Sequence, residues 1–106
     1  MTAYTIERKR WQALSLFEQM GNIGSEVGRT YKAQQRSDEH NSKLAMARAI
    51  DLLDATCADP RYSFSRKKEI LRAKEEFIAS ITQNKSLQDK LEQYFMQFAI
   101  AARLSR

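Results

Sequence analysis

Few side chains in this sequence are of the types that perform catalysis or bind metals. The chain contains one histidine, His40, and one cysteine, Cys57, so one subunit cannot supply the ligands of the common Cys and His zinc sites. Cys57 falls on the apolar face of a predicted helix, where a thiol acts as a small hydrophobic side chain and not as a nucleophile. His40 is expected in the first turn of the same helix, as a solvent-exposed residue.

The other patterns that could support chemistry are incomplete. Asp51 and Asp54 would lie one turn apart on a helix and could bind a cation, but such a pair is usually solvated or bridged to a basic residue. Ser37 stands where the Glu-x-x-His motif of di-iron helical bundles needs its glutamate, three residues before His40. The sequence has no Walker loop and no dinucleotide-binding fingerprint. We therefore predict a non-enzymatic protein with no catalytic residue, metal or cofactor.

The charge balance of the chain points to an acidic partner. Lys and Arg outnumber Asp and Glu by 18 to 13, which gives a formal net charge of +5 and favours RNA or DNA as a partner. The candidate nucleic-acid contacts lie at the end of the first predicted helix and the start of the third: Arg29, Lys32, Arg36, Arg66 and Lys67. The helix dipole disfavours cations in a first turn, so an anionic partner would stabilise Arg66 and Lys67. The alternative is a solvated, salt-bridged helix face without a function of its own.

The elements that must position these residues are helices. Apolar residues recur at three- and four-residue steps, whereas turn-forming dipeptides and β-branched runs are scarce. The periodicity predicts four helices, over residues 5–34, 39–58, 65–82 and 87–104. Pro60 divides them into two hairpins, because the residue before a proline leaves the helical region. We therefore predict one all-α domain over residues 1–106, an antiparallel up-down-up-down four-helix bundle.

The first predicted helix has an irregular apolar pattern. Its apolar residues step by three from Trp11 to Met20 and then by three or four, so no straight helix keeps them all on one face. All three glycines of the chain, Gly21, Gly24 and Gly28, fall in this helix. Either the long helix bends near Gly21, or Gly24 and Gly28 mark a strip where a neighbouring helix approaches closely.

The last predicted helix carries more apolar surface than one core face needs. Its core stripe is expected to consist of Leu87, Leu91, Tyr94, Phe98 and Ala101. A second line, Met96, Ile100 and Leu104, falls on roughly the opposite side, where a bundle helix of a monomer should be polar. We expect a second subunit to cover this line in a homo-oligomer, with Trp11 and Leu14 as candidates for the covering surface. The alternative is that these apolar residues are simply exposed.

Two further expectations concern location. A single cysteine excludes an internal disulfide, and the N-terminal residues lack the basic and apolar run of a secretory signal. No apolar stretch approaches the length of a membrane span. We therefore expect a cytoplasmic protein that makes no membrane contact.

A segment of about a third of the chain resembles a known family. Residues 22–29 read Asn-Ile-Gly-Ser-Glu-Val-Gly-Arg, and a polar stretch, Ser-Asp-Glu-His and an alanine-rich helix follow. This resembles the small four-helix-bundle proteins encoded in intervening sequences of bacterial 23S ribosomal RNA genes. It is also similar to their relatives, the accessory variability proteins of diversity-generating retroelements. The resemblance implies a non-enzymatic bundle that forms ring-like homo-oligomers, commonly pentamers, whose basic surfaces engage a reverse transcriptase and nucleic acid in the retroelement branch.

Overall fold

The protein is all-α, as predicted. The computed structural model describes residues 7–105, and this part of the chain contains five helices and no strand. The helices are α1 (Arg8–Gln12), α2 (Leu16–Gln35), α3 (Glu39–Cys57), α4 (Phe64–Thr82) and α5 (Leu87–Leu104).

The last three predicted helices are confirmed, and two of their starts have clear local causes. Each of α3, α4 and α5 begins and ends within one residue of its predicted limits. The Asp38 side chain caps α3 by accepting a hydrogen bond from the backbone N–H of Asn41, and Ser63 caps α4 in the same way through Arg66. Ser86 stands at the start of α5 but accepts no such bond.

The first helix differs from the prediction. A single helix over residues 5–34 is wrong, because the chain leaves the helical conformation between α1 and α2; residues 5 and 6 lie outside the described part. The break has a capping box: Ser15 Oγ accepts from the N–H of Glu18 at 3.1 Å, and the Glu18 carboxylate accepts from the N–H of Ser15 at 3.0 Å. α2 then continues through Gly21 without interruption, so the break in the chain falls before α2 and not at that glycine.

The four long helices contact one another in a ring. α2 packs against α3 and α5, α4 packs against the same two helices, and α1 lies on α3. Because α2 and α4 share both neighbours, they lie on opposite sides of the core. The largest buried side chains include Met20, Ile23, Val27, Tyr31, Leu53, Ile70, Phe77, Leu91 and Phe95.

Polar contacts identify which helix ends meet. Gln19 Nε2, in the first turn of α2, donates to Asp59 Oδ2 in the loop between α3 and α4, at 3.3 Å. In the second half of α2, Tyr31 Oη lies 2.7 Å from Ser80 Oγ, near the end of α4. The start of α4 therefore lies at the same end of the protein as the start of α2.

The core face of α5 is rotated from the predicted stripe towards Phe95. Leu91 from the predicted stripe is buried, and so are Phe95 and Ala102 outside it, whereas Tyr94 and Phe98 from the stripe pack against the core but are only partly buried. Phe95 reaches the core because α2 presents Gly24 at this point, and the absence of a side chain there leaves room for the aromatic residue.

Candidate functional site

The residues that could perform catalysis are dispersed. His40 is exposed at the start of α3, and Cys57 is half-buried at its end, with Sγ 4.0 Å from the carbonyl oxygen of Lys67. Asp54 forms an ion pair with Lys74, with 2.7 Å between Oδ1 and Nζ. Among the described residues, no three His, Cys, Asp or Glu side chains are grouped so that they could hold a metal ion. These candidates do not assemble into one centre.

A buried polar cluster joins the α3–α4 loop to α2. Asp59 is almost fully buried and accepts hydrogen bonds from Arg61 Nη2 at 2.7 Å and from Gln19 Nε2. Tyr62 Oη donates to Gln19 Oε1 at 2.5 Å. The hydrogen bonds that Asp59 accepts, chiefly from the Arg61 side chain, lower its pKa to about 2. Every buried side-chain nitrogen and oxygen in the described part of the chain has a hydrogen-bond partner, so the cluster joins the loop to the helix without needing a ligand.

The outward face of α2 is basic. Arg29, Lys32 and Arg36 are all exposed, and steps of three and four residues place them on one side of the helix. Arg29 pairs with Glu26 at 2.9 Å and Arg36 with Asp38 at 3.5 Å, whereas Lys32 forms no ion pair within residues 7–105. The exposed pair of Arg36 contributes little to stability, so Lys32 and Arg36 can turn towards an anionic partner at small cost. Glu26 is buried and keeps Arg29 as its partner. The exposed guanidinium of Arg29 has further N–H donors and can contact an anion while this pair stays intact.

Arg66 and Lys67 do not join this basic face. They lie at the start of α4, which is on the opposite side of the core from α2 and at the other end of the protein from Arg36. Arg66 Nη1 lies 2.8 Å from Glu69 Oε1, which offsets the unfavourable effect of the helix dipole on this cation. The five candidate nucleic-acid contacts thus form two separate groups, of which the α2 group is the more exposed.

The second apolar line of α5 is uncovered within the chain. Met96, Ile100 and Leu104 expose 55%, 44% and 81% of their surfaces. Phe17, from the start of α2, is also exposed and lines a groove together with Met96. Its ring lies beside that of Phe98, with 6.2 Å between the centroids. Adjacent exposed side chains of this size are typical of an interaction surface.

Trp11 belongs to the core and not to this exposed surface. Its side chain is 7% exposed, and Nε1 donates to Thr56 Oγ1 on α3 at 2.9 Å. Leu14, in the break between α1 and α2, is half-buried against the same core. The break turns α1 onto α3, which is why Trp11 is unavailable to a second subunit. Its expected place in an oligomer interface is therefore corrected.

A groove follows the junction of α2 and α5. It has a volume of about 360 Å³, and Gly28, Glu92 and Met96 are among its lining residues. The two helices touch at Gly24, where a Cβ would lie 2.7 Å from the Cβ of Phe95, whereas a Cβ at Gly28 would meet no neighbouring atom within 4 Å. The close approach predicted at both glycines exists at Gly24 and is wrong for Gly28, which forms part of the groove wall.

Two charged residues that the sequence reasoning missed flank the exposed line of α5. Glu92 and Arg103 are exposed and lie on the side of α5 that faces α2. Glu92 lines one of the two grooves that Met96 borders, and Arg103 lines the other. Neither forms an ion pair within the part of the chain that the structure describes. They are eleven residues apart, which is about three helical turns and places them on one edge. The sequence signal that could have identified these two residues is the spacing of two opposite charges beside an apolar line.

Comparisons with known proteins do not assign this chain to a family. No family model, no curated protein and no solved structure matches it. Within the described residues, no helix combines the length and the apolar character that crossing a membrane requires. The fold and its surfaces define an all-α protein whose main exposed features are the basic face of α2 and the apolar line of α5.

Proposed function

We propose that this chain is a non-enzymatic helical adaptor that assembles with itself and binds nucleic acid through the basic face of α2. The face formed by Arg29, Lys32 and Arg36 carries the proposal. Exposed cations at helical spacing can contact successive phosphates, and such contacts provide affinity without reading sequence. The net charge of +5 adds a long-range attraction to the same partner.

We further propose that α2, α3, α4 and α5 form an antiparallel four-helix bundle, with α1 as an added segment. The ring of helix contacts and the short connections between consecutive helices support this arrangement. The single cysteine is consistent with action in the cytoplasm.

Self-assembly is supported by the exposed line Met96, Ile100 and Leu104. Covering it with a second subunit would remove apolar surface from water, which contributes about 25 cal/mol per Å² and is partly offset by the entropic cost of association. Replacing Met96 and Ile100 together by Glu should dissociate the oligomer, because the two carboxylates would be buried without partners. Light scattering gives the mass, and circular dichroism checks that helicity persists. A wild-type chain that remains a 12.3 kDa monomer would contradict self-assembly.

The binding of nucleic acid is tested by changing the charge of the α2 face. The variant Arg29→Gln/Lys32→Glu keeps a hydrogen-bonding side chain next to Glu26 and removes three positive charge units. We expect it to lose affinity for labelled RNA and DNA oligonucleotides at about 50 mM salt, where phosphate contacts are weakly screened. Wild-type affinity should fall steeply as the salt concentration rises.

A matched control changes the same charge on another helix. The variant Arg72→Gln/Lys68→Glu alters exposed residues of α4, on the far side of the core from α2. It should bind nearly as well as the wild type. Equal losses in the two variants would show a general charge effect, and no binding by the wild type would contradict the nucleic-acid part of the proposal. Reversing Arg66 and Lys67 tests the second group in the same assay.

A second candidate function is a purely protein-binding or structural helical bundle. The exposed line Met96, Ile100 and Leu104 favours it, since this feature needs no anionic partner to explain it. Retained assembly without any binding of RNA or DNA would support this function. The resemblance to the intervening-sequence and accessory variability proteins leads to a related proposal, a ring such as a pentamer with a reverse transcriptase as partner.

A further inference from the structure

We propose that two copies of this chain pair through antiparallel α5 helices about a two-fold axis near residue 98. In this pairing Met96 of each copy packs on the partner's Ile100, and Glu92 of each copy lies beside the partner's Arg103. The inference rests on the self-assembly in the proposed function and specifies a geometry that self-assembly alone leaves open.

The first argument is that the apolar line and the flanking charges share one centre. The midpoint between Met96 and Ile100 falls at residue 98, and the midpoint between Glu92 and Arg103 falls between residues 97 and 98. A two-fold axis perpendicular to α5 exchanges positions at equal distances on either side of it. One axis at this level therefore aligns the apolar contacts and the opposite charges at the same time.

The second argument comes from the edge on which the charges lie. Glu92 and Arg103 both flank the apolar line on the α2 side of α5. When two helices pair antiparallel about a two-fold axis, equivalent edges face each other, so Glu92 meets the partner's Arg103 twice. In a parallel pair the two-fold axis would run along the helices, and opposite edges would face each other. Glu92 and Arg103 would then face the partner's edge that carries Lys90, and they would not meet each other. Only the antiparallel orientation therefore joins these two opposite charges.

The third argument is that both charges are free to form these contacts. Glu92 and Arg103 are exposed and form no ion pair within residues 7–105. On the opposite edge of α5, Lys90 already faces Glu76 of its own chain, at 3.7 Å. Antiparallel pairing would therefore join the two copies along the edge of α5 whose charged residues form no ion pair within residues 7–105.

The extent of the surface sets the expected strength of the dimer. α5 has 18 residues and is about 27 Å long, and the apolar line occupies its second half, with Phe17 adjoining it. One helix face of this length lies at the lower end of specific interfaces, which corresponds to a weak or transient dimer. Association should therefore be followed over a wide range, from about 1 µM to about 1 mM.

The pairing also determines where the basic faces go. α2 lies beside the edge of α5 that carries Glu92 and Arg103. Because the two-fold axis keeps equivalent edges on the same side, both copies of α2 lie on one side of the dimer. Two basic faces on one side would let a nucleic acid contact both, which raises its affinity for the dimer over the monomer.

The test uses charge reversals that only this geometry can compensate. Glu92→Arg alone places a second arginine opposite the partner's Arg103, and Arg103→Glu alone places two carboxylates together. We expect sedimentation velocity to show self-association weakened about tenfold in each variant, because two attractive contacts become repulsive. The double variant Glu92→Arg/Arg103→Glu should recover wild-type association. Arg72→Glu, at an exposed position of α4, makes the same charge change as Arg103→Glu and should have little effect.

The decisive measurement mixes the two single variants. One carries two arginines on the edge and the other two glutamates, so each repels itself while the pair is complementary at both contacts. An equimolar mixture should form a heterodimer, and the gain over the separate proteins should shrink at high salt.

Each outcome separates this inference from the proposed function. A wild-type monomer up to about 1 mM overturns both the pairing and self-assembly, whereas nucleic-acid binding by that monomer would leave the α2 face intact as a proposal. An oligomer with more than two chains, or a dimer indifferent to both charge reversals and to mixing, overturns the antiparallel pairing and leaves self-assembly standing. A dimer that follows the predicted pattern supports the pairing even when no RNA or DNA binds.

Discussion

Gly24 of α2 lies directly against Phe95 of α5, and a Cβ at Gly24 would lie 2.7 Å from the Cβ of Phe95. Real Cβ atoms do not approach this closely, and Phe95 cannot move aside at its Cβ without moving the α5 backbone. The contact therefore fixes the distance between the two helices that border the groove. It also fixes which face of α5 enters the core, and hence which face carries Met96 and Ile100.

The first prediction compares alanine at two glycines of α2. Gly24→Ala should destabilise the protein by about 1–3 kcal/mol, because the added methyl group overpacks the contact with Phe95. Gly28→Ala should be neutral or stabilise by up to about 1 kcal/mol, because the site is open and alanine favours the helix. Urea denaturation followed by circular dichroism measures both. Equal effects of the two substitutions would contradict the close approach at Gly24.

The second prediction concerns the buried carboxylate of Asp59. Its pKa in the folded protein is lowered from 3.8 to about 2, chiefly by the hydrogen bond from Arg61. A lowered folded pKa stabilises the fold above the unfolded value, and the contribution is lost as the pH falls through the window from 3.8 to about 2. Asp59→Asn should therefore lower the free energy of unfolding at pH 7 by about 1–3 kcal/mol.

The pH dependence provides the control for this prediction. The difference in unfolding free energy between the wild type and Asp59→Asn should shrink as the pH approaches 2, because the wild-type carboxylate becomes protonated. Asp51→Asn, which removes a carboxylate outside the cluster, should show a much smaller difference at pH 7. A difference for Asp59→Asn that stays constant from pH 7 to pH 2 would rule out the charged contact with Arg61 as its cause.

The third prediction uses the only tryptophan of the chain to report how α1 docks. Trp11 is buried and donates from Nε1 to Thr56 Oγ1, so its native fluorescence should be blue-shifted. Thr56→Val leaves the buried indole N–H without its acceptor and should destabilise the protein by about 1–3 kcal/mol. Thr56→Ser keeps the hydroxyl group and should cost less. If the emission of Trp11 shifts to the red at the same urea concentration in Thr56→Ser and in Thr56→Val, the hydrogen bond from Trp11 to Thr56 does not stabilise the docking of α1.

The sequence predicts the local parts of this fold well. Helices α3, α4 and α5 follow from apolar periodicity and from caps such as Asp38 and Ser63, all of which depend on residues close together in the chain. The break before α2 was also predictable, because Ser15 and Glu18 form the Ser-x-x-Glu capping box. The steps of three in the apolar pattern begin at Trp11 and cross this break, whereas the pattern alone is compatible with a bend near Gly21 or with a close helix approach.

The non-local parts could not be predicted from periodicity. Phe95 enters the core only because Gly24, far away in sequence, leaves space for it. Similarly, the separation of Arg66 from Arg29 depends on the order in which the helices pack and not on either helix alone. The surplus apolar line of α5 was visible in the sequence because a helix has only one core face, and Met96 in this line is exposed in the structure.

The last prediction concerns the cap that separates α1 from α2. Ser15→Ala removes the hydroxyl group that accepts from the N–H of Glu18, and it should destabilise the protein by about 1 kcal/mol. It should also loosen α1, so that the emission of Trp11 shifts to the red before the helical signal is lost. Ser86→Ala is the matched control, since Ser86 begins α5 without a side-chain capping bond and its hydroxyl donates only to the exposed side chain of Asn84, and it should change the free energy of unfolding much less. If both substitutions cost the same, the capping box is not what holds the two helices apart.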